Sequence, residues 1–390
     1  MSETRSATTE RPTDDGARFT IGEISHQPEV WREAAANIAA DRGRLDDFLA
    51  PLLARPDLRI VLTGAGTSAF VGGVAAPELS RLLSRRIDAI ATTDLVSNPR
   101  EYLAEDVPTL LVSFARSGNS PESVAATRLA DECLSEVSHL IVTCDPAGQL
   151  NQEHQGREDS AVLLMPAGAN DQGFAMTSSF TSMLLSVLLV LGGGDVQTVQ
   201  PLIRAAEAVI GGAWDAIGDL TALDCDRVVY LGSGPLTALA RESALKLLEL
   251  TAGQVVSYFD SALGFRHGPK SVLNERTLVV VFLSSDAYTR KYDLDILAEL
   301  RETIAPERVV AIGPDGVVAG GERTISFDGL DGLNDALLAS VFVVVAQILA
   351  LSFALHVGTT PDNPFPDGVV NRVVKGVRLH PLGEAGSGAA

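Results

Sequence analysis

Lys246 and Glu249 stand three residues apart in PLTALARESALKLLELTAGQ (235–254), a stretch with no helix breaker before Gly253. At that spacing two side chains share one helix face, about a turn apart. An exposed pair of this kind is common and contributes little. Here Leu245, Leu247, Leu248 and Leu250 flank both charges, so the helix reads as buried on most sides. A charged pair in a buried helix calls for a task or a partner. A carboxylate in that setting suits the shuttling of a carbon-bound proton through an enediol or enolamine. Glu242 is a second carboxylate on a nearby face and ranks below Glu249. Further on, GFRHGPKS places His267 in a Gly/Pro-rich loop. An imidazole titrating near neutrality suits general acid–base proton transfer.

A second set of residues is suited to binding an anion. TGAGTSAF (63–70) and SFARSGNS (113–120) both end apolar runs in small, hydroxylated residues. Taken singly, each is explained by tight turns and helix caps, and Ser120 before Pro121 has the form of an N-cap with proline at N1. Taken together, they place two helix N-termini and four hydroxyls where one phosphate would fit, without a bulky cation. Thr67, Ser68, Ser117 and Ser120 are the candidates to hold it. Arg116 beside them either adds a charge or is solvated. The rival reading of the first turn is a dinucleotide site: GAGTSA matches GxGxxA, with Asp94 as the ribose-binding acid. That reading leaves the SGNS turn unexplained. No GxxxxGK[ST] occurs, so a Walker A loop is excluded.

The elements that must position these residues repeat. RIVLTGAG (59–66) and RVVYLGSG (227–234) are both apolar runs ending in Gly-X-Gly, offset by 227 − 59 = 168. TLLVSFARS (109–117) and TLVVVFLSS (277–285) keep the offset, 277 − 109 = 168, and HLIVTCD and RVVAIGP follow at 308 − 139 = 169. Short Val/Ile/Leu strands alternating with helices imply parallel sheets covered on both faces. The expected architecture is therefore two tandem doubly wound α/β domains, 58–220 and 221–390, the second with a C-terminal tail. Residues 1–24 are expected to be a disordered tail rather than a signal peptide, and 25–57 an amphipathic helical arm. That arm carries Trp31, Ile38, Leu45 and Leu49 on one side, to pack across a domain or a partner subunit. Met183–Leu191 and 337–357 imitate membrane spans. Gln347, Ser352 and His356 within the longer run, and the lack of flanking basic clusters, favour a helix buried in an α/β domain.

Composition closes off several classes. Thirty Lys and Arg against fifty Asp and Glu give a formal charge of −20, which repels nucleic acid. Hydrophobic residues at 46% supply a substantial core. Cys133, Cys144 and Cys225 show neither CxxC spacing nor an even count, which fits a reducing, cytoplasmic setting. No HExxH or comparable spacing suggests a metal, and no cofactor site is apparent.

The ordered set GAGTS, ARSGNSPES, GFAMTSSFTSML, ESALKLLEL, GFRHGPKS and NPFPDGVVNRVVKGV resembles the sugar isomerase (SIS) domain family over roughly 25–385. FRHGPKS and the NPFPDGVVNRVV segment are most similar to the galactosamine-6-phosphate deaminase/isomerase branch, also named tagatose-6-phosphate ketose/aldose isomerase. The resemblance implies two SIS domains of flavodoxin-like fold and a phosphorylated amino sugar or hexose phosphate as substrate. It implies phosphate binding by Thr67, Ser68, Ser117 and Ser120, and sugar contacts from Gly66, Ala175, Met176, Thr177 and Lys375. Glu249 falls on the carboxylate that moves the proton between C1 and C2, and Lys246 on its companion. His267 falls on the ring-opening histidine, which in the isomerase half of glucosamine-6-phosphate synthase comes from the neighbouring subunit. A homodimer or homotetramer with a shared site is therefore implied. Ala115 and Met176 stand where that cousin has hydroxyls, and Lys375 is one position off in spacing. The activity implied is conversion of an aminosugar 6-phosphate to a ketose 6-phosphate plus ammonia. Aldose–ketose isomerisation without deamination, and a non-catalytic phosphosugar-binding regulator, stay open as alternatives.

Overall fold

The computed structural model describes residues 16–317, 323–374 and 376–383. Its strands make two five-stranded sheets, each wholly parallel. The first contains β1 (Arg59–Thr63), β2 (Ile87–Ala89), β3 (Thr109–Ala115), β4 (Val137–Thr143) and β5 (Ser160–Leu164), in the order β2-β1-β3-β4-β5. The second contains β6 (Arg227–Leu231), β7 (Val256–Asp260), β8 (Thr277–Phe282), β9 (Val309–Pro314) and β10 (Thr324–Phe327), in the order β7-β6-β8-β9-β10. Counted within its own half, each sheet runs 2-1-3-4-5. The register repeats as well: Arg59 pairs with Thr109, and Arg227 with Thr277. The expected doubly wound fold is what the chain adopts. β3 and β8 are buried at every position, because helices cover both faces of a parallel sheet.

The described chain divides into two compact units that interleave in sequence. One holds the first sheet and takes 30–170, 178–199 and the residues from 367 onward. The other holds the second sheet and takes the residues up to 29, 171–177 and 200–366. A plain division near 220 therefore departs from these units at its boundary, which falls near 200, and at three crossings: the segment before 30 and the loop 171–177 go with the second sheet, and the described residues from 367 onward go with the first.

The helix Gln27–Leu53 buries Trp31, Ile38, Leu45 and Leu49, the side expected from their spacing. Trp31 Nε1 donates to Thr181 Oγ1 at 2.9 Å, which fixes the arm to the first-sheet unit. The expectation of a disordered tail to residue 24 fails beyond Gly16, because Arg18–Ser25 is a helix. Its anchor is distant in sequence. Asp362 accepts hydrogen bonds from Phe19 N–H (2.9 Å), Thr20 N–H (2.8 Å) and Thr20 Oγ1 (2.7 Å).

The helix Asp335–His356 is long and apolar enough to cross a membrane, yet 89% of its apolar window is buried inside the protein. Asn334 caps it, accepting from Leu337 N–H at 3.0 Å. It packs along the helix Pro235–Leu250, which carries the charged pair.

Candidate active site

β1 and β3 are neighbours, with Thr63 opposite Ser113, so the turns that follow them lie side by side at the carboxyl edge of the first sheet. In open parallel sheets that edge is where ligands sit, at the point where strand order reverses. Gly66 ends the first turn with φ 56°, a conformation that disfavours any side chain, and the helix Thr67–Leu83 begins at the next residue. Thr67 and Ser68 occupy the helix's first turn and are 3% and 4% exposed. In the second turn Gly118 has φ 63°, and an added Cβ would lie 3.3 Å from Thr143 Oγ1. The turn is held by Leu150 N–H donating to the Gly118 carbonyl and Gln149 N–H donating to Asn119 Oδ1, both at 3.0 Å. Ser117 Oγ accepts the Asn119 N–H at 3.3 Å. Ser120 takes the N-cap position before Pro121, but its hydroxyl makes no capping hydrogen bond. It therefore remains available to a ligand. Arg116 is not solvated: it is 6% exposed and donates to the Arg372 carbonyl at 2.9 Å, tying the C-terminal segment to the cradle.

The second sheet carries the same turn with different contents. Gly234 has φ 57° and ψ −126°, against 56° and −127° at Gly66. Pro235 and Leu236 follow it, so both the N–H of Thr67's counterpart and the two hydroxyls are gone. The serines left there bond to the chain's own carboxylates. Asp335 accepts from Ser284 Oγ (2.5 Å), Ser285 N–H (2.7 Å) and Ser285 Oγ (2.9 Å). Asp293 accepts from Ser233 Oγ (2.5 Å) and Ser284 N–H (2.9 Å). Burial pushes the Asp293 carboxyl above its usual range, and these two hydrogen bonds pull it back.

The site helix Pro235–Leu250 buries both charges expected of it to different depths. Lys246 is 1% exposed and its Nζ donates to Glu249 Oε2 at 2.6 Å, while the Glu249 side chain is 25% exposed. Glu242, wholly buried, lies 3.6 Å from the same ammonium. The one lysine thus lies beside two carboxylates, Glu249 and Glu242. The place of Glu242 four residues before Lys246 was the available signal. Removing a partner from a buried ion pair costs about 3–5 kcal/mol, so Lys246 is structural as well as electrostatic. Glu249, reaching solvent from a rigid helix beside a fixed cation, can accept and return a proton.

The remaining expected residues are placed as follows. Ala175 (1% exposed) and Thr177 (0%) are turned inward, and only Met176 of the three is partly exposed. Contacts from this loop to a sugar would then come from Met176 and the main chain. His267 is exposed on a loop whose flanks are pinned, since Arg266 and Lys270 both bind Glu299. Lys375 lies outside the described residues. Asp94, the acid required by the dinucleotide reading, is exposed inside the helix Thr92–Ser97 and not at the tip of β2, which ends at Ala89. Among the described residues no group of three or more His, Cys, Asp or Glu is arranged to hold a metal ion.

The SIS domain family matches residues 52–191 and 223–357. The D-galactosamine-6-phosphate deaminase AgaS of Escherichia coli is 48% identical over 368 residues, 93% of this chain and 96% of that protein. A Streptomyces coelicolor relative that bears the AgaS name provisionally is 56% identical over 377 residues, 96% of this chain and 98% of its own. Among solved structures, the tagatose-6-phosphate ketose/aldose isomerase from Escherichia coli superposes with a TM-score of 0.86 at 44% identity. It covers 95% of this chain and 99% of that one.

Proposed function

This chain belongs to the SIS domain family and carries two such domains in tandem, and from that premise we propose that it is a deaminating isomerase. Its substrate is an aminosugar 6-phosphate of the galactosamine type, and its products are tagatose 6-phosphate and ammonia. The near full-length similarity to deaminases speaks for an enzyme over a phosphosugar-binding regulator. The observation that carries the chemical reading is the solvent-reaching Glu249 carboxylate, held at 2.6 Å by the buried Lys246 ammonium.

Thr67, Ser68, Ser117 and Ser120 hold the 6-phosphate. This remote binding energy serves to position the reacting end. His267 promotes ring opening, which exposes the C1 aldehyde. Glu249 removes the proton from C2, the electrons move to form the C1–C2 double bond, and the carbonyl oxygen takes up a proton. The 2-amino-enol is then protonated at C1 by Glu249, leaving a C2 imine. Water adds to that carbon and ammonia leaves, so one water is consumed per ammonia released. Because Asp293 and Asp335 already bind the serines of the second turn, we assign one phosphate site per chain. His267, being exposed, is assigned to the substrate of a second copy, which makes the working unit at least a dimer. A cytoplasmic location follows from this choice of substrate.

Similarity to the Escherichia coli tagatose-6-phosphate ketose/aldose isomerase favours a second reading, aldose–ketose isomerisation. The same proton transfer with a hydroxyl at C2 gives a ketose without ammonia. Ammonia and ketose are measured with galactosamine 6-phosphate and glucosamine 6-phosphate, for wild type and Glu249→Gln. Ammonia release that is lost in the variant is the expected result, ketose formation only from neutral sugar phosphates supports the second reading, and binding without turnover overturns both.

A further inference from the structure

The loop 171–177 has neither helix nor strand, so its shape depends on side chains that answer its backbone groups. Asp171 Oδ2 accepts the Thr177 N–H at 2.8 Å and closes the loop on itself. From outside the loop, Glu23 in the helix Arg18–Ser25 accepts the N–H groups of both Gln172 and Gly173, the latter at 3.0 Å to Oε1 and 3.2 Å to Oε2. Gly173 is what admits the carboxyl this closely: an added Cβ would lie 2.8 Å from Glu23 Oε2 and 3.0 Å from Thr20 Oγ1. The helix carrying Glu23 is itself held by Asp362, through Phe19 N–H, Thr20 N–H and Thr20 Oγ1. Gln27 continues the contact, donating to Gln347 Oε1 at 2.8 Å.

Glu23 is only 5% exposed and shares this corner with two other carboxylates, Asp171 and Asp362. Burying a carboxyl there is costly, and packing a short helix against its neighbours would need only an apolar side chain. A buried acid makes sense if the specific main-chain course of the loop is what matters, since an apolar residue cannot answer two N–H groups.

We propose that Glu23 is a positioning residue of the substrate site, fixing the 171–177 loop in the form that presents Met176 and its flanking main chain to the sugar. The proposal deepens the functional reading above and rests on it. Three variants test it, with hydrogen exchange of the 171–177 amides as a readout that needs no substrate. Glu23→Ala should raise the KM for galactosamine 6-phosphate about tenfold with kcat within about twofold, because a displaced loop weakens binding without touching Glu249. Glu23→Gln keeps the accepting oxygen and should stay within about twofold of wild type on both constants. Gly173→Ala leaves the carboxyl present but pushes it off the loop, and should reproduce Glu23→Ala. Amides 172 and 173 should exchange faster in Glu23→Ala and Gly173→Ala only. A Glu23→Ala enzyme with lower thermal stability but unchanged KM would overturn the proposal, and so would unchanged exchange. A wild type that binds the sugar phosphate and releases no ammonia would sink the functional reading instead, while the exchange data and a thermal-shift titration with galactosamine 6-phosphate still decide the role of Glu23.

Discussion

The two Gly-X-Gly turns, at Gly64–Gly66 and Gly232–Gly234, share a backbone and differ in what they can bind. In each, the first glycine is pressed against the start of the following helix: an added Cβ would lie 2.6 Å from Ser68 C and 2.5 Å from Leu236 O. The fold therefore demands glycine in both places, whatever the turn is used for. Function enters at the residues the fold leaves open. After Gly66 come Thr67 and Ser68; after Gly234 come a proline with no N–H to give and a leucine with no hydroxyl. At the neighbouring strand tip, Ser120 makes no capping bond, whereas Ser284 and Ser285 give their donors to Asp335 and Asp293. In the second half carboxylates of the chain itself answer the serines, and the function proposed above therefore leaves the anion site to the first half.

This asymmetry predicts unequal consequences for matched substitutions. The largest effect belongs to the residue proposed to transfer the proton: Glu249→Gln should lower kcat for ammonia release by about 10²–10⁴-fold with the fold intact by circular dichroism. Next comes the open cradle. Ser117→Ala with Ser120→Ala should raise the KM for galactosamine 6-phosphate by about 10²-fold or more, since each hydroxyl given to a charged group contributes at least about 1.5 kcal/mol. The serines at the corresponding strand tip of the second sheet, changed together as Ser284→Ala with Ser285→Ala, should leave KM unchanged, and a rise there would break the comparison. Third, Asp335→Ala strands the Ser284 and Ser285 donors and should cost about 2–3 kcal/mol in denaturant unfolding without altering KM.

The smallest effect is a pH dependence of stability. Burial, reinforced by Asp171 and Asp362, pushes the Glu23 carboxyl up to about 8 from its ordinary 4.5. A carboxyl raised on folding contributes stability that is full below pH 4.5 and is lost as pH rises through about 8. Glu23→Gln cannot ionise. It should match wild type near pH 5 and exceed it in melting temperature by about 2–4 °C in alkaline buffer.

Much of this was legible from sequence, for physical reasons. Buried parallel strands read as unbroken apolar runs, so β3 and β8 were visible along with their offset of 168. Lys246 and Glu249 declared themselves by a spacing of three within a leucine-rich helix. What escaped was whatever depended on partners distant in the chain. RFTIGEIS reads as part of a polar tail because the group that holds it, Asp362, lies more than three hundred residues on. Asp293 and Asp335 escaped because they come from helices outside the repeated strand-turn motif, although the serines they bind lie inside it. Arg116 was read as either a charge at the cradle or solvated, and one contact that sequence could not reveal is its hydrogen bond to the main-chain carbonyl of Arg372.

The central claim is that one chain binds one sugar phosphate, through the hydroxyls after β1 and β3. Calorimetric titration of the Glu249→Gln protein with galactosamine 6-phosphate tests it without turnover. One molecule should bind per chain, with binding lost when Ser117 and Ser120 become alanine and kept when Ser284 and Ser285 do. Two molecules per chain, or binding that survives loss of the first pair and fails on loss of the second, would contradict it.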